Sequence, residues 1–315
     1  MRRIASVLIA GLLSLGPASG AAKIDVVATT GMIADAAQAV AGDRAAVTSL
    51  MGPGVDPHAY RQTQADVRAL TRADLILWNG LYLEAQLEEL MAQLAQRRSV
   101  VAVAEATPVD RRIAHDDYAG RFDPHIWMDP ALWVLAVDAV RDALIAVDPD
   151  GEQVYAANAA ASRSEIDALA AYAKGVLASV PADRRVLISA HDAFNYFGAA
   201  YGFEVMGVQG ISTESDVGLK RIQDLVDLIV DRRISAVFVE TSVTDRSLQA
   251  LVEGAVARGH TVAIGGELFS DAMGAPGTYE GTYLGMIDHN ATVIAQALGG
   301  QAPTQGWRAQ LATAE

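Results

Sequence analysis

The sequence predicts an α/β protein of two lobes, each a parallel β-sheet flanked by helices, joined by one long helix. Three observations carry this reading. Short apolar, β-branched runs alternate with amphipathic segments through the first half of the chain, one long Ala-rich helical stretch interrupts the pattern, and the alternation then resumes. Strand–helix alternation is the pattern of a parallel sheet covered on both faces. The 315 residues are enough for two domains of ordinary size, and half are hydrophobic, so a packed core rather than a disordered chain is expected.

The elements follow in order. The opening "MRRIASVLIAGLLSLGPASGAAK" has a positive start at Arg2 and Arg3, an apolar stretch from Ile4 to Leu15 and small residues from Ala18 to Ala22. That is the layout of a cleavable secretory signal over residues 1–22, and its apolar run is far short of the ~20 residues that span a bilayer. "IDVVAT" (24–29), "AVTSLM" (46–51), "DLILWN" (74–79) and "SVVAVA" (99–104) read as buried strands, with helices such as "IADAAQAVAG" and "LEAQLEELMAQLAQ" between them. From about Asp150 to Ser179 the chain is one helical stretch closed by Pro181. "RVLISA" (185–190), "FEVMGV" (203–208), "SAVFVE" (235–240) and "TVAIGG" (261–266) then read as a second set of strands. The expected division is a lobe over 23–148, a linking helix over 149–180 and a lobe over 181–315, with no obvious sequence repeat between the lobes.

The formal charge is −14, and removing the signal, which carries two arginines and no acid, makes it two units more negative. Such a surface repels nucleic acid and concentrates cations. With no cysteine in the chain there is no disulfide framework, zinc-thiolate site or thiol nucleophile. The same absence removes a lipid-modified cysteine at the cleavage point, so a free, soluble protein of a Gram-negative periplasm is expected.

Six histidines are present, and two of them follow Asp-Pro, in "GPGVDPHAY" and "FDPHIWMDP". Proline fixes its own φ and keeps the preceding residue out of the helical region, so each Asp-Pro-His is a stiff segment that aims an imidazole. In open α/β sheets ligands bind beyond the carboxyl ends of the strands. His58, His191 and Asp271 follow strands closely, and His125 lies in the long loop after the fourth strand. His115 is expected in an exposed loop, His260 at the amino end of a strand, and His289 in a structural role on a helix. Three imidazoles and one carboxylate make a four-ligand cage for Zn²⁺, and the same donors extend to Mn²⁺ and Fe²⁺. Spacing alone leaves this open against ordinary hydrogen-bonding roles, because these residues lack a tight motif such as His-Glu-x-x-His.

The blocks "GPGVDPHAY", "ADLILWNGLYLE", "FDPHIWMDP", "SAHDAFNYFGAAYGF", "QGISTESD" and "ELFSDAMGAPGTYEGTYLGMIDHN" together resemble the metal-binding proteins of zinc and manganese ABC importers, in the cluster that includes TroA and the streptococcal metal-binding adhesins. The resemblance covers about residues 24–299. It implies two lobes bridged by a rigid backbone helix, one divalent ion in the cleft, and ligand roles for His58, His125, His191 and Asp271. It also implies delivery of the ion to an inner-membrane permease and its ATPase, and no enzymatic activity.

Where manganese-specific members carry a glutamate, this chain has His191, which favours Zn²⁺ over Mn²⁺. Against that, the short "RRIAHDDYAGRF" stands where zinc-uptake members often carry a long His- and acid-rich loop. The pattern is most similar to the TroA-like branch, associated with both metals. Glu240 and Glu214 are placed to hold ligand imidazoles, Glu214 alternatively to cap a helix after Ser212 and Thr213. Asp56 and Asp123 are expected to orient their own loops, and Trp78 and Trp127 to fill core or cleft wall. A secreted zinc hydrolase is disfavoured because four protein ligands leave no place for water. A metal-storage or adhesion role is the remaining rival, and a monomer is the expected state.

Overall fold

The computed structural model describes residues 23–115, 119–215 and 217–312. The predicted signal at 1–22 lies outside them. All eight apolar runs form strands, and they assemble into two four-stranded parallel sheets. The first holds β1 (Ile24–Ala28), β2 (Ala45–Ser49), β3 (Leu75–Trp78) and β4 (Ser99–Ala102) in the order β2-β1-β3-β4. The second holds β5 (Val186–Ser189), β6 (Glu204–Gly207), β7 (Ala236–Glu240) and β8 (Ala263–Leu268) in the order β6-β5-β7-β8. The two sheets thus share one topology, although their sequences show no repeat.

Each lobe carries its own helices: α1 (Gly31–Ala41), α2 (Gln64–Arg72), α3 (Glu88–Leu94) and α4 (Pro130–Val147) precede the linker. Helix α5 (Glu152–Ala178) is the linker, and α6 (Asn195–Tyr201), α7 (Leu219–Asp231), α8 (Arg246–Ala257) and α9 (Tyr283–Ala297) follow it. Two of these helix starts follow directly from local chemistry. Thr63 and Asp66 close a reciprocal capping box ahead of α2, and Asp129 caps α4 with Pro130 at its first position.

At 27 residues α5 is about 40 Å long. Its alanines favour the helix, and its buried residues, among them Tyr155, Ile166, Leu169, Ala173 and Leu177, recur at helical spacing on one stripe. That stripe packs on α1, α4 and α9, so one continuous core runs from the first lobe through the linker into the second. Among the described residues no helix is long and apolar enough to cross a membrane.

In both sheets the connections leave in opposite directions from the two central strands, which places a switch point between β1 and β3 and another between β5 and β7. Ligands in such sheets bind beyond the carboxyl ends of the strands at these points.

Candidate metal centre

Both Asp-Pro-His segments fold as turns closed by their own aspartate. The proline has no N–H to give, and the aspartate carboxylate takes the N–H of the histidine two residues on: His58 N donates to Asp56 Oδ1 at 2.9 Å, and His125 N to Asp123 Oδ1 at 2.9 Å. In the second turn the same Asp123 oxygen also lies 2.7 Å from His125 Nδ1. In the first turn the other Asp56 oxygen accepts the Thr213 hydroxyl at 2.6 Å, a bond from the opposite lobe.

His191 is set by sheet register. Ser189 pairs with Phe238 across β5 and β7, so two residues further on His191 stands level with Glu240 at the second switch point. Glu240 accepts His191 N at 2.8 Å with one oxygen and lies 2.5 Å from Nδ1 with the other. Asp271 follows β8, the strand beside β7.

One ligating atom from each of His58, His125, His191 and Asp271 can be chosen so that all lie within 4.8 Å of one another. His58 Nε2 and His125 Nε2 are 3.3 Å apart, while Asp271 lies 3.3 Å from His125 Nε2 and 3.1 Å from His191 Nε2. All four residues are buried. With Nδ1 of His125 and His191 held by carboxylates, each ring turns Nε2 toward the centre, where it can offer a lone pair to an ion once its proton is released. His191 Nε2 and both Asp271 oxygens lack a well-formed hydrogen bond. Their approach is a charge contact without donor alignment. Buried polar atoms left in this state suit a cation between them.

The electrostatics have the same character. Burial works against charge on His125 and His191, but carboxylates outweigh it: Asp123 and Asp271 raise His125 to about 9, and Glu240 and Asp271 raise His191 well above the usual histidine range. Burial alone would raise Asp271, yet His191 and His125 hold it well below the usual carboxylate range. His58 goes the other way: burial, reinforced by the two neighbouring imidazoles, lowers it to about 3. The site therefore prefers positive charge in place of an ion, carried as protons on two of its histidines.

Several supporting residues have no signal in the sequence. Glu84, fully buried after β3, accepts Thr29 Oγ1 at 2.6 Å and Asn79 N at 2.8 Å. Asn79 Nδ2 in turn donates to Pro124 O at 3.1 Å, fixing the second Asp-Pro-His from the first switch point. Asn195 and Tyr196 of α6 reach across from the other lobe to Asp123, and Trp127 donates to Ser270 O while its ring stands edge-on to His125. Trp78 is half-buried at the end of β3.

Other expectations change. His115 is 8% exposed and so buried, because the segments on either side of it pair Ala114 with Phe122. Helix α7 begins only at Leu219 behind Gly218, so Ser212 and Thr213 do not cap it, and Glu214 is exposed in the loop ahead. No hydrogen bond from its carboxylate to the four clustered residues is present among the described residues. His260 and His289 bond the backbone carbonyls of Ile234 and Glu267, away from the cluster.

A family model described as ZnuA, zinc-uptake complex component A, periplasmic, matches residues 26–297. The chain belongs to this family. Manganese-binding lipoprotein MntA of Bacillus subtilis is 46% identical over 276 residues, covering 88% of this chain and 90% of that protein. Zinc-binding protein TroA of Treponema pallidum is 47% identical over 273 residues, covering 87% of this chain and 88% of that one. The solved structure of the periplasmic zinc-binding protein TroA from Treponema pallidum superposes with a TM-score of 0.86 at 46% identity, covering 88% of this chain and 99% of that chain. ZnuA-family architecture, two parallel-sheet lobes and a long helix, is thus shared with a protein whose structure was solved.

Proposed function

We propose that this chain captures one divalent transition-metal ion with His58, His125, His191 and Asp271 and carries it to the permease and ATPase of an ABC importer. The observation that supports the reading most is the buried convergence of three imidazole nitrogens and an unsatisfied carboxylate drawn from both lobes. Four protein donors close the coordination sphere, as in sites that hold an ion rather than activate water on it. Asp123 and Glu240 set the imidazoles of His125 and His191 and raise their basicity. The cargo enters as substrate and leaves unchanged.

The donor set favours Zn²⁺ over Mn²⁺ on intrinsic affinity. Manganese remains the second reading, because MntA, named for manganese, is as similar to this chain as TroA, named for zinc. The relative MntA is named a lipoprotein, whereas the 315 residues here hold no cysteine to carry a lipid. A free periplasmic monomer is the form we assign, and fractionation of cells into periplasm and membrane tests it.

His191→Ala tests the ligand assignment. Zn²⁺ affinity, measured by competition with a chromophoric chelator, falls by more than about 100-fold, since one of four donors is lost and Glu240 is left without the ring it orients. The circular dichroism spectrum is retained. Unchanged affinity would remove His191 from the ligand set.

A further inference from the structure

Two crevices reach the cluster, one at Asp271 and the other at His58. One, of about 210 Å³, is walled by Met51, Pro53, Met273 and Pro276 and touches Asp271. The other, of about 140 Å³, is lined by His58, Tyr82, Gln86, His115, Ser212 and Glu214 among others. Solvent contact with the four side chains separates them. The His58 side chain is 3% exposed, and those of His125, His191 and Asp271 are 0%. Asp271 as a whole residue is 2% exposed, so what the first crevice reaches is its main chain and not its carboxylate.

We infer that the ion enters and leaves through the crevice on the His58 side, and that the Glu214 carboxylate is the first group of the protein it meets. The inference rests on the metal-capture reading above. Both lobes contribute to this mouth, His58 and Tyr82 from the first, Ser212 and Glu214 from the second. Among the described lining residues Glu214 is the one acid, and it is exposed. A carboxylate there lowers the energy of an approaching dication and begins the exchange of its water shell for protein donors. A positive charge borders this mouth as well, since Arg121 is held over the ring of the lining Tyr82 at 4.0 Å.

Leu81 and Tyr82, which line the same crevice as Glu214, lie in a constrained turn. Gly80, Leu81 and Tyr82 are successive residues with φ of 76°, 53° and 72°, a left-handed turn that non-glycine residues rarely adopt. A Cβ at Gly80 would sit 2.8 Å from that of Ala102, so only glycine fits at the start of this turn. The buried Glu84 carboxylate clamps the turn by accepting the N–H groups of Asn79 and Gly80. Backbone strain held by buried hydrogen bonds marks a segment whose shape is used, and here that shape is the crevice wall beside His58.

The test measures Zn²⁺ association with and release from the ion-free protein by stopped flow with a chromophoric chelator. Three variants are compared with wild type: Glu214→Gln, Gln86→Trp at this mouth, and Pro276→Trp at the other. The expected result is association slowed by about threefold or more in Glu214→Gln at low salt, with the difference shrinking as salt is raised. Gln86→Trp slows association and release together by several-fold while their ratio holds, and Pro276→Trp matches wild type. Slowing by Pro276→Trp with no effect of the other two would overturn the inference, and so would wild-type rates in all three. If wild type itself takes up no ion, it is the capture reading that fails and not the route.

Discussion

At the scale of single residues, the Asp-Pro-His turn does two jobs with one carboxylate. Both aspartates brace the turn through the histidine N–H, but only Asp123 also holds a ring nitrogen. Asp123→Asn and Glu240→Gln each keep an oxygen that can take the backbone N–H while removing the charge behind the imidazole. Zn²⁺ affinity falls by about 10–100-fold in each, with the fold retained; isothermal titration with a competing chelator measures it. Proton competition gives a second prediction. His125, raised to about 9, and His191, also raised, hold protons at neutral pH in the ion-free site. An incoming ion must displace them, so affinity climbs with pH toward 9 and drops as pH falls, by about tenfold per pH unit for each proton released. In the ion-free protein the raised His125 contributes stability that is fully present below the ordinary histidine range and is lost as pH rises through about 9. Chelator competition between pH 6 and 8 checks the slope, and a flat profile would mean the histidines are already unprotonated.

The candidate site was partly legible at this scale. Pro-imposed geometry and strand ends singled out His58, His125, His191 and Asp271 as candidates, and the family resemblance, not spacing, gave them ligand roles. Glu240 could be guessed for the same reason, being the last residue of β7, one strand away from His191. Asn79, Glu84 and Tyr196 could not, because their roles consist of hydrogen bonds to residues 45, 55 and 73 positions away. Glu214 was read as an imidazole partner or a helix cap; the loop before α7 is longer than the Ser-Thr pair suggested, and the residue is exposed at the crevice mouth.

At the scale of elements, buried β-branched runs located every strand, but β8 begins two residues later than its pattern and continues to Leu268. Gly265 and Gly266 look like a strand end in sequence. They lie inside the strand because a Cβ at Gly265 would be 2.8 Å from that of Ala297 on α9, and one at Gly266 would be 2.5 Å from Val293 Cγ1. The glycines let helix and sheet approach closely, a tertiary demand that local propensity does not show. The linker α5 was legible from its alanines and spacing, and its stability comes from the shared core. Leu169 of α5 is fully buried in the core that α5 shares with α1, α4 and α9. Leu169→Ala lowers stability by about 2–5 kcal/mol. Urea unfolding of the ion-free protein checks this; a change below about 1 kcal/mol would mean that the helix is held by its own propensity rather than by packing on its neighbours.

At the scale of the whole molecule, two sheets of one topology place their switch points on either side of a cleft, and the long helix fixes the lobes through a continuous core. Cross-lobe bonds from Thr213, Asn195, Tyr196 and Trp127 end on the turns that carry the clustered histidines or on the chain beside Asp271. An ion held there ties the lobes together, so binding raises thermal stability by the mass-action term for a ligand of the native state. On the reading proposed above, the three-histidine, one-aspartate cluster binds a divalent ion and prefers zinc. That reading is tested most directly by stripping the protein with chelator, offering equal Zn²⁺ and Mn²⁺, and quantifying bound metal by mass spectrometry in wild type and His191→Ala. The account predicts one zinc per wild-type chain with manganese excluded, and none retained by the variant. Manganese retained in competition would contradict the preference for zinc, and no stoichiometric ion of either kind would contradict the account at its centre.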